Sequence, residues 1–96
     1  RFERVMSGLS AFAGRRLEVD EAVYTSEMDH AYRNIAIAYM LRSYDIVQEN
    51  PIAVVEGYTK QCALLVSARD LAVMAVTLAN QGLNPVTGEQ VVPPEA

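Results

Sequence analysis

Residues 50–65 read Asn50-Pro51-Ile52-Ala53-Val54-Val55-Glu56-Gly57-Tyr58-Thr59-Lys60-Gln61-Cys62-Ala63-Leu64-Leu65, and their reading decides the fold class. Asparagine can accept hydrogen bonds from the free amides of a first helical turn, and proline at the first helical position loses none. Val54, Val55, Tyr58, Cys62 and Leu65 then recur at helical steps and form a stripe expected to be buried. The stretch is a helix, and the sequence on both sides repeats the pattern.

Upstream, Ala31 to Tyr44 is apolar around nearly its whole circumference, with charge only at Arg33 and Arg42, so it reads as a central helix. Asp20 can cap a shorter helix from Glu21 to about Met28, with Ala22 and Val23 turned inward. From Phe2 to Ala13, Val5, Leu9 and Phe12, with Met6 and Ala13, share one helix face. Gly14 ends it, and Arg15-Arg16 sit near its negative pole. Downstream, Ser67 opens a fifth helix with Asp70 three residues on in a capping-box arrangement; Leu71, Val73, Met74, Val76, Leu78 and Ala79 fill it until Gly82. Asn84-Pro85-Val86-Thr87-Gly88 is a turn cluster, and Val91-Val92 is at most a strand stub or docking segment. The expectation is an all-α compact bundle of about five helices, residues 1–96 forming a single helical domain without strands before Gln90.

Composition narrows the function. Half the residues are apolar (51%), too many for a disordered chain, and a chain of 96 residues fits one compact unit. A net charge of -4, with eight scattered Lys and Arg residues, gives no footprint for phosphate backbones, so no nucleic-acid partner is expected. Cys62 is the only cysteine and sits in an apolar run, where cysteines usually pack. It permits neither an internal disulfide nor a cysteine metal cluster, and a reducing, cytoplasmic setting fits. No apolar run reaches the roughly 18 residues that span a bilayer, so no membrane is expected. The start at Arg1 without methionine and the end in Pro93-Pro94-Glu95-Ala96 read as an excised segment.

The chemistry on offer is sparse. His30 is the only histidine, and neither HExxH nor any paired-histidine spacing exists, so no metal and no cofactor is expected; His30 itself reads as a helix-end or surface residue. Nucleophilic serine in a β-lactamase-like site needs lysine one helical turn on, so that the amine can take the hydroxyl proton. Ser7, Ser10, Ser26, Ser43 and Ser67 all lack it, and Gly57 stands three residues before Lys60. Glu27 and Asn34 would share a face about 10 Å apart if one helix ran through both; by spacing alone they are solvated polar residues. Tyr58, by the same standard, is a core tyrosine.

Four blocks carry a resemblance. Val23-Tyr24-Thr25-Ser26-Glu27, then His30-Ala31-Tyr32-Arg33-Asn34-Ile35-Ala36-Ile37-Ala38-Tyr39, resemble the signature VYxSE followed by HRNxAIAYxL of bacterial serine-dependent glutaminases. Tyr58 to Ala72 looks like that family's YxxQCSLxVxxxDLA block, and Leu83 to Glu89 like its GxNPxTGE turn. The likeness runs from about Arg16 to Glu89. Ala31-Tyr32 moves the histidine one place relative to Arg33-Asn34, so His30 receives no family role.

The resemblance implies the helical domain of a β-lactamase-like glutaminase fold, from a parent that hydrolyses L-glutamine to L-glutamate and ammonia. It implies substrate-binding roles for three residues. Glu27 would meet the ligand's α-ammonium, selecting a free amino acid over a glutamine within a peptide. Asn34 would bind the same head group with an amide that both donates and accepts. Tyr58 would bind ligand or pass a proton toward the departing ammonia. The SxxK serine and lysine have no counterpart here, so the chain alone is expected to be inactive. Family members are commonly homo-oligomers, and the same is expected by resemblance. Two other readings compete: a helical protein-protein interaction module that pairs through apolar faces, and a degenerate glutamine-binding domain without catalysis.

Overall fold

A computed structural model of the chain describes residues 2–95. Among them are five helices, α1 (Phe2–Ala13), α2 (Glu21–Asp29), α3 (Tyr32–Ser43), α4 (Pro51–Cys62) and α5 (Ala68–Ala79), and two two-residue strands, β1 (Glu18–Val19) and β2 (Leu64–Leu65), which pair with each other. The all-α expectation holds. The strands correct the expectation of none before Gln90; they are too short to show as alternation. Arg1 and Ala96, the ends of the excised-segment reading, lie outside the described residues.

The chain divides into two compact units, one formed by residues 1–18 with 65–96 and the other by the continuous stretch Val19–Leu64. In the first, α1 packs on α5. Met6, Ser10 and Ala13 of α1 and Asp70, Val73 and Thr77 of α5 are buried, at steps of three and four. Polar groups within this packing are satisfied. The Thr77 hydroxyl donates to the Val73 carbonyl at 2.8 Å and lies 3.2 Å from that of Phe12, while Ser10 Oγ accepts from the Leu17 amide at 3.0 Å.

Asn84, fully buried, ties the turn cluster to the end of α1. Its Nδ2 donates to the carbonyls of Ala11 and Phe12 at 2.9 and 3.3 Å, and its Oδ1 accepts from the amides of Val86 and Thr87 at 2.8 and 3.2 Å. The capping box at α5 forms as read: Ser67 Oγ accepts from the Asp70 amide, and Asp70 Oδ2 from the Ser67 amide. The same carboxylate takes a bidentate pair from Arg15 at 2.7 and 2.5 Å. Arg15 therefore answers a side chain of α5 rather than the pole of its own helix. Gly14 ends α1 with φ +77°, as expected, but α5 stops at Ala79, before Gly82.

In the second unit α4 packs against α3 and α2. Its centre is Ala31, Ala38 and Val55, with Met28 and Ile35 packed against them. Asn50 caps α4 as read, accepting from the amides of Ile52 and Ala53. The buried stripe of α4 is Pro51, Val55 and Thr59, which leaves Tyr58 and Cys62 exposed, and because the helix ends at Cys62, Leu65 falls in β2. Val55 is buried as expected, packed with Ala38, but the buried stripe runs from it through Pro51 and Thr59 rather than through Tyr58 and Cys62. In α2, Ala22 and Val23 are exposed and the half-buried residues are Tyr24 and Met28, so the inward face differs from the expected one. Only Ala38 is buried in α3, and Ile37, Tyr39 and Met40 of its apolar run stand exposed.

Candidate functional site

All three residues singled out in the sequence lie in the continuous unit, one on each of its helices. Glu27 is in the last turn of α2, Asn34 in the first turn of α3, and Tyr58 in the third turn of α4. They do not share one helix: the chain turns at His30 and Ala31, and Glu27 and Asn34 belong to separate elements. His30 closes α2, its amide donating to the Glu27 carbonyl at 3.2 Å and its ring Nδ1 lying 2.8 Å from the Ser26 carbonyl. A carbonyl only accepts, so Nδ1 carries the proton. This is the helix-end role read from the sequence.

Asn34 and Tyr58 meet on the walls of one concavity of about 320 Å³ between α3 and α4. Its other walls are Ile37, Ala38 and Leu41 of α3, Val54 and Val55 of α4, and Val47 from the connection. On α3 these residues stand at i, i+3, i+4 and i+7 from Asn34, so the helix turns one face into the groove. The two helices pack on each other and are joined by residues 44–50. A few polar groups on an apolar concavity is the usual make-up of a small-molecule site.

Tyr58 is 58% exposed. No described side chain bonds its hydroxyl or the Asn34 amide, so the core-tyrosine reading does not apply within this chain. Glu27 is exposed, does not line this concavity, and has no described side-chain partner. The structure thus brings two of the three together and puts the third on the adjoining helix.

Sequence reasoning missed the groove's apolar walls, although the i, i+3, i+4, i+7 spacing from Asn34 to Leu41 could have revealed them. It also missed a contact between α2 and α4, in which Lys60 Nζ lies 5.6 Å from the centroid of the Tyr24 ring. Burial pushes the Tyr24 phenol up from its ordinary value, helped by the negative charges of Glu56 and Glu21. A polar concavity in the other unit, of about 420 Å³, is lined by Arg15 and Arg16, but Asp70 and Glu3 already pair them. Among the described residues, no helix is long and apolar enough to cross a membrane.

The structure is a helical segment whose groove sets an asparagine and a tyrosine against an aliphatic wall. The chain belongs to the glutaminase family, whose family model matches residues 1–96. It is 60% identical over 93 residues to a protein of Bradyrhizobium diazoefficiens called Glutaminase 2, covering 97% of this chain and 15% of that one. The Glutaminase of Corynebacterium efficiens is 47% identical over 92 residues, covering 96% of this chain and 22% of the relative. Among solved structures, Mglu in its L-glutamate binding form superposes with a TM-score of 0.91 at 46% identity, over 99% of this chain and 22% of that one. A probable glutaminase of Bacillus subtilis gives 0.88 at 33% identity, over 98% and 30%. The chain thus spans under a third of the length of each of these relatives.

Proposed function

We propose that this chain is the helical domain of a glutaminase that hydrolyses L-glutamine to L-glutamate and ammonia, and that Glu27, Asn34 and Tyr58 hold the substrate. The observation that carries the reading is the meeting of Asn34 and Tyr58, both without other described partners, on one groove of ligand size. The likeness to a protein described in an L-glutamate binding form supports the same ligand class. In this reading the carboxylate of Glu27 meets the α-ammonium, the Asn34 amide bonds the same head group, and the Tyr58 phenol passes a proton toward the leaving ammonia. Serine and lysine come from outside this segment, so the chain alone hydrolyses nothing. Residues 1–96 act as one helical domain of a cytoplasmic homo-oligomer that engages neither nucleic acid nor membrane. The exposed Ile37, Tyr39 and Met40 of α3 favour burial against further protein, which suits a domain of a longer chain as well as an interaction module.

The test is kinetics in the full-length protein. Charge-assisted contacts are worth about 1.5–3 kcal/mol, so Glu27→Gln raises KM for L-glutamine by roughly ten- to a hundredfold and erases the preference for glutamine over N-acetylglutamine. Asn34→Ala raises KM as well, whereas Tyr58→Phe lowers kcat by about 10²–10⁴. Wild-type kinetics in all three variants would leave the helical interaction module as the better reading.

A further inference from the structure

Helix α2 carries Glu27 yet buries none of its residues. Its attachments to the rest of its unit follow a single stripe at four-residue steps. At the N-terminal end, the Asp20 amide donates to the Ala63 carbonyl at 2.7 Å. In the middle, the Tyr24 ring lies under the Lys60 ammonium. At the C-terminal end, Met28 packs on Ala31, Ala38 and Val55. Two of these three tie points engage the last turn and cap of α4, the helix that also carries Tyr58.

A helix held along one stripe is fixed in rotation about its axis only as firmly as the stripe. Glu27 stands three residues beyond Tyr24 and one before Met28, so its carboxylate swings directly with any roll of α2. The N-terminal end continues from the β1–β2 pair through one backbone hydrogen bond, which fixes the chain's entry but grips no face of the helix, and the C-terminal end rests on a flexible thioether chain, which tolerates displacement. The stiff ring at the centre is therefore the element that resists roll. Lys60 follows Glu56 by four residues in the order that favours an ion pair on a helix face, and Glu21 lies on the same side of Tyr24, so acidic groups from both helices flank the cation and the ring.

We infer that Lys60 and Tyr24 form a positioning pair that holds the Glu27 carboxylate toward the substrate's α-ammonium. This inference rests on the reading of Glu27 given above. The pair touches no substrate; it acts through α2. Its strength is that of a partly exposed cation over an aromatic face, too little to govern folding and enough to bias a helix's rotation.

The experiment is a set of full-length variants assayed for KM and kcat with L-glutamine. Lys60→Met and Tyr24→Leu each raise KM by roughly two- to fivefold with kcat unchanged, the range a cation over a ring supplies. Lys60→Arg and Tyr24→Phe, which keep the cation and the ring, stay at the wild-type KM, and the Lys60→Met/Tyr24→Leu double variant is no worse than either single one. Unchanged KM in Lys60→Met and Tyr24→Leu, with Glu27→Gln still raising it, overturns the positioning role alone. A Tyr24→Phe variant as impaired as Tyr24→Leu overturns it too, because the hydroxyl would then be the active part. Unchanged KM in Glu27→Gln removes the substrate-binding reading itself and this inference with it.

Discussion

Asn84→Ala is the substitution whose cost the structure defines best. The side chain is fully buried and makes four hydrogen bonds, two donated to the last carbonyls of α1 and two accepted from the amides of Val86 and Thr87. Truncation strands both sets. A neutral hydrogen bond is worth about 1 kcal/mol net, and a buried group left without a partner costs about 1–3 kcal/mol. The vacated volume is about that of one water, which recovers part of the loss. The expected destabilisation is about 2–4 kcal/mol, or a fall in Tm of roughly 10–25 °C for a chain of this size. Urea unfolding and thermal melts followed by circular dichroism measure it. Asn84→Asp sharpens the test: it keeps an acceptor for the turn amides but points a carboxylate oxygen at two carbonyls. It should be unstable at neutral pH and recover as the pH falls and a carboxyl proton becomes available to donate. A loss under about 1 kcal/mol in Asn84→Ala, or wild-type stability of Asn84→Asp at neutral pH, would refute the account.

The Arg15 guanidinium, followed by the Ser67 amide, holds the Asp70 carboxyl well below the usual carboxylate range. A depressed folded-state value contributes stability that is present above about pH 4 and is lost as the pH falls further; urea midpoints of Asp70→Asn should therefore change less between pH 5 and pH 2 than those of wild type. Gly82 has φ +81°, and a Cβ there would run into the Val92 carbonyl, whereas at Gly88, φ +77°, it would meet open space. Gly82→Ala should lose more stability than Gly88→Ala, whose cost is the left-handed backbone alone, about 1–2 kcal/mol; equal midpoints would discount the steric contact. Cys62 is exposed at the end of α4. A thiol reagent should titrate it fully in the folded 96-residue chain without denaturant, and protection would place a cover over that end of the helix.

Local signals were legible in the sequence and distant ones were not. The caps at Asn50 and at Ser67 with Asp70 rest on groups a few residues apart, and both form as read. The partner of Arg15 stands 55 residues away, where no spacing rule reaches, so the arginine was assigned to the pole of its own helix. Tyr58 and Cys62 were placed on a buried face because α4 carries apolar residues at more than one set of helical steps, and only contact with Ala38 decides which set turns inward. Exposed apolar residues on α3 have the same origin: a helix apolar all round states that it will be covered, not by what. The candidate site was legible through motif blocks rather than through geometry. Spacing alone would align Glu27 and Asn34 only if one helix ran through both, and the break between α2 and α3 expected near Met28 to Ala31 separates them. The groove, by contrast, could have been found from the period of Asn34, Ile37, Ala38 and Leu41.

The discontinuity of one unit bears on the order in which the protein can acquire structure as it is made. Val19–Leu64 leaves the ribosome as a single run and has all its own packing partners once Leu64 has emerged. Of the five helices described, α1 precedes this stretch and its partner α5 follows it. Met6, Ser10 and Ala13 therefore stay uncovered by α5 while the whole intervening stretch is translated. A nascent chain stalled before Ala68 would carry the α5-facing stripe of α1 without its partner from this unit, whereas Val19–Leu64 would already hold every partner of its own.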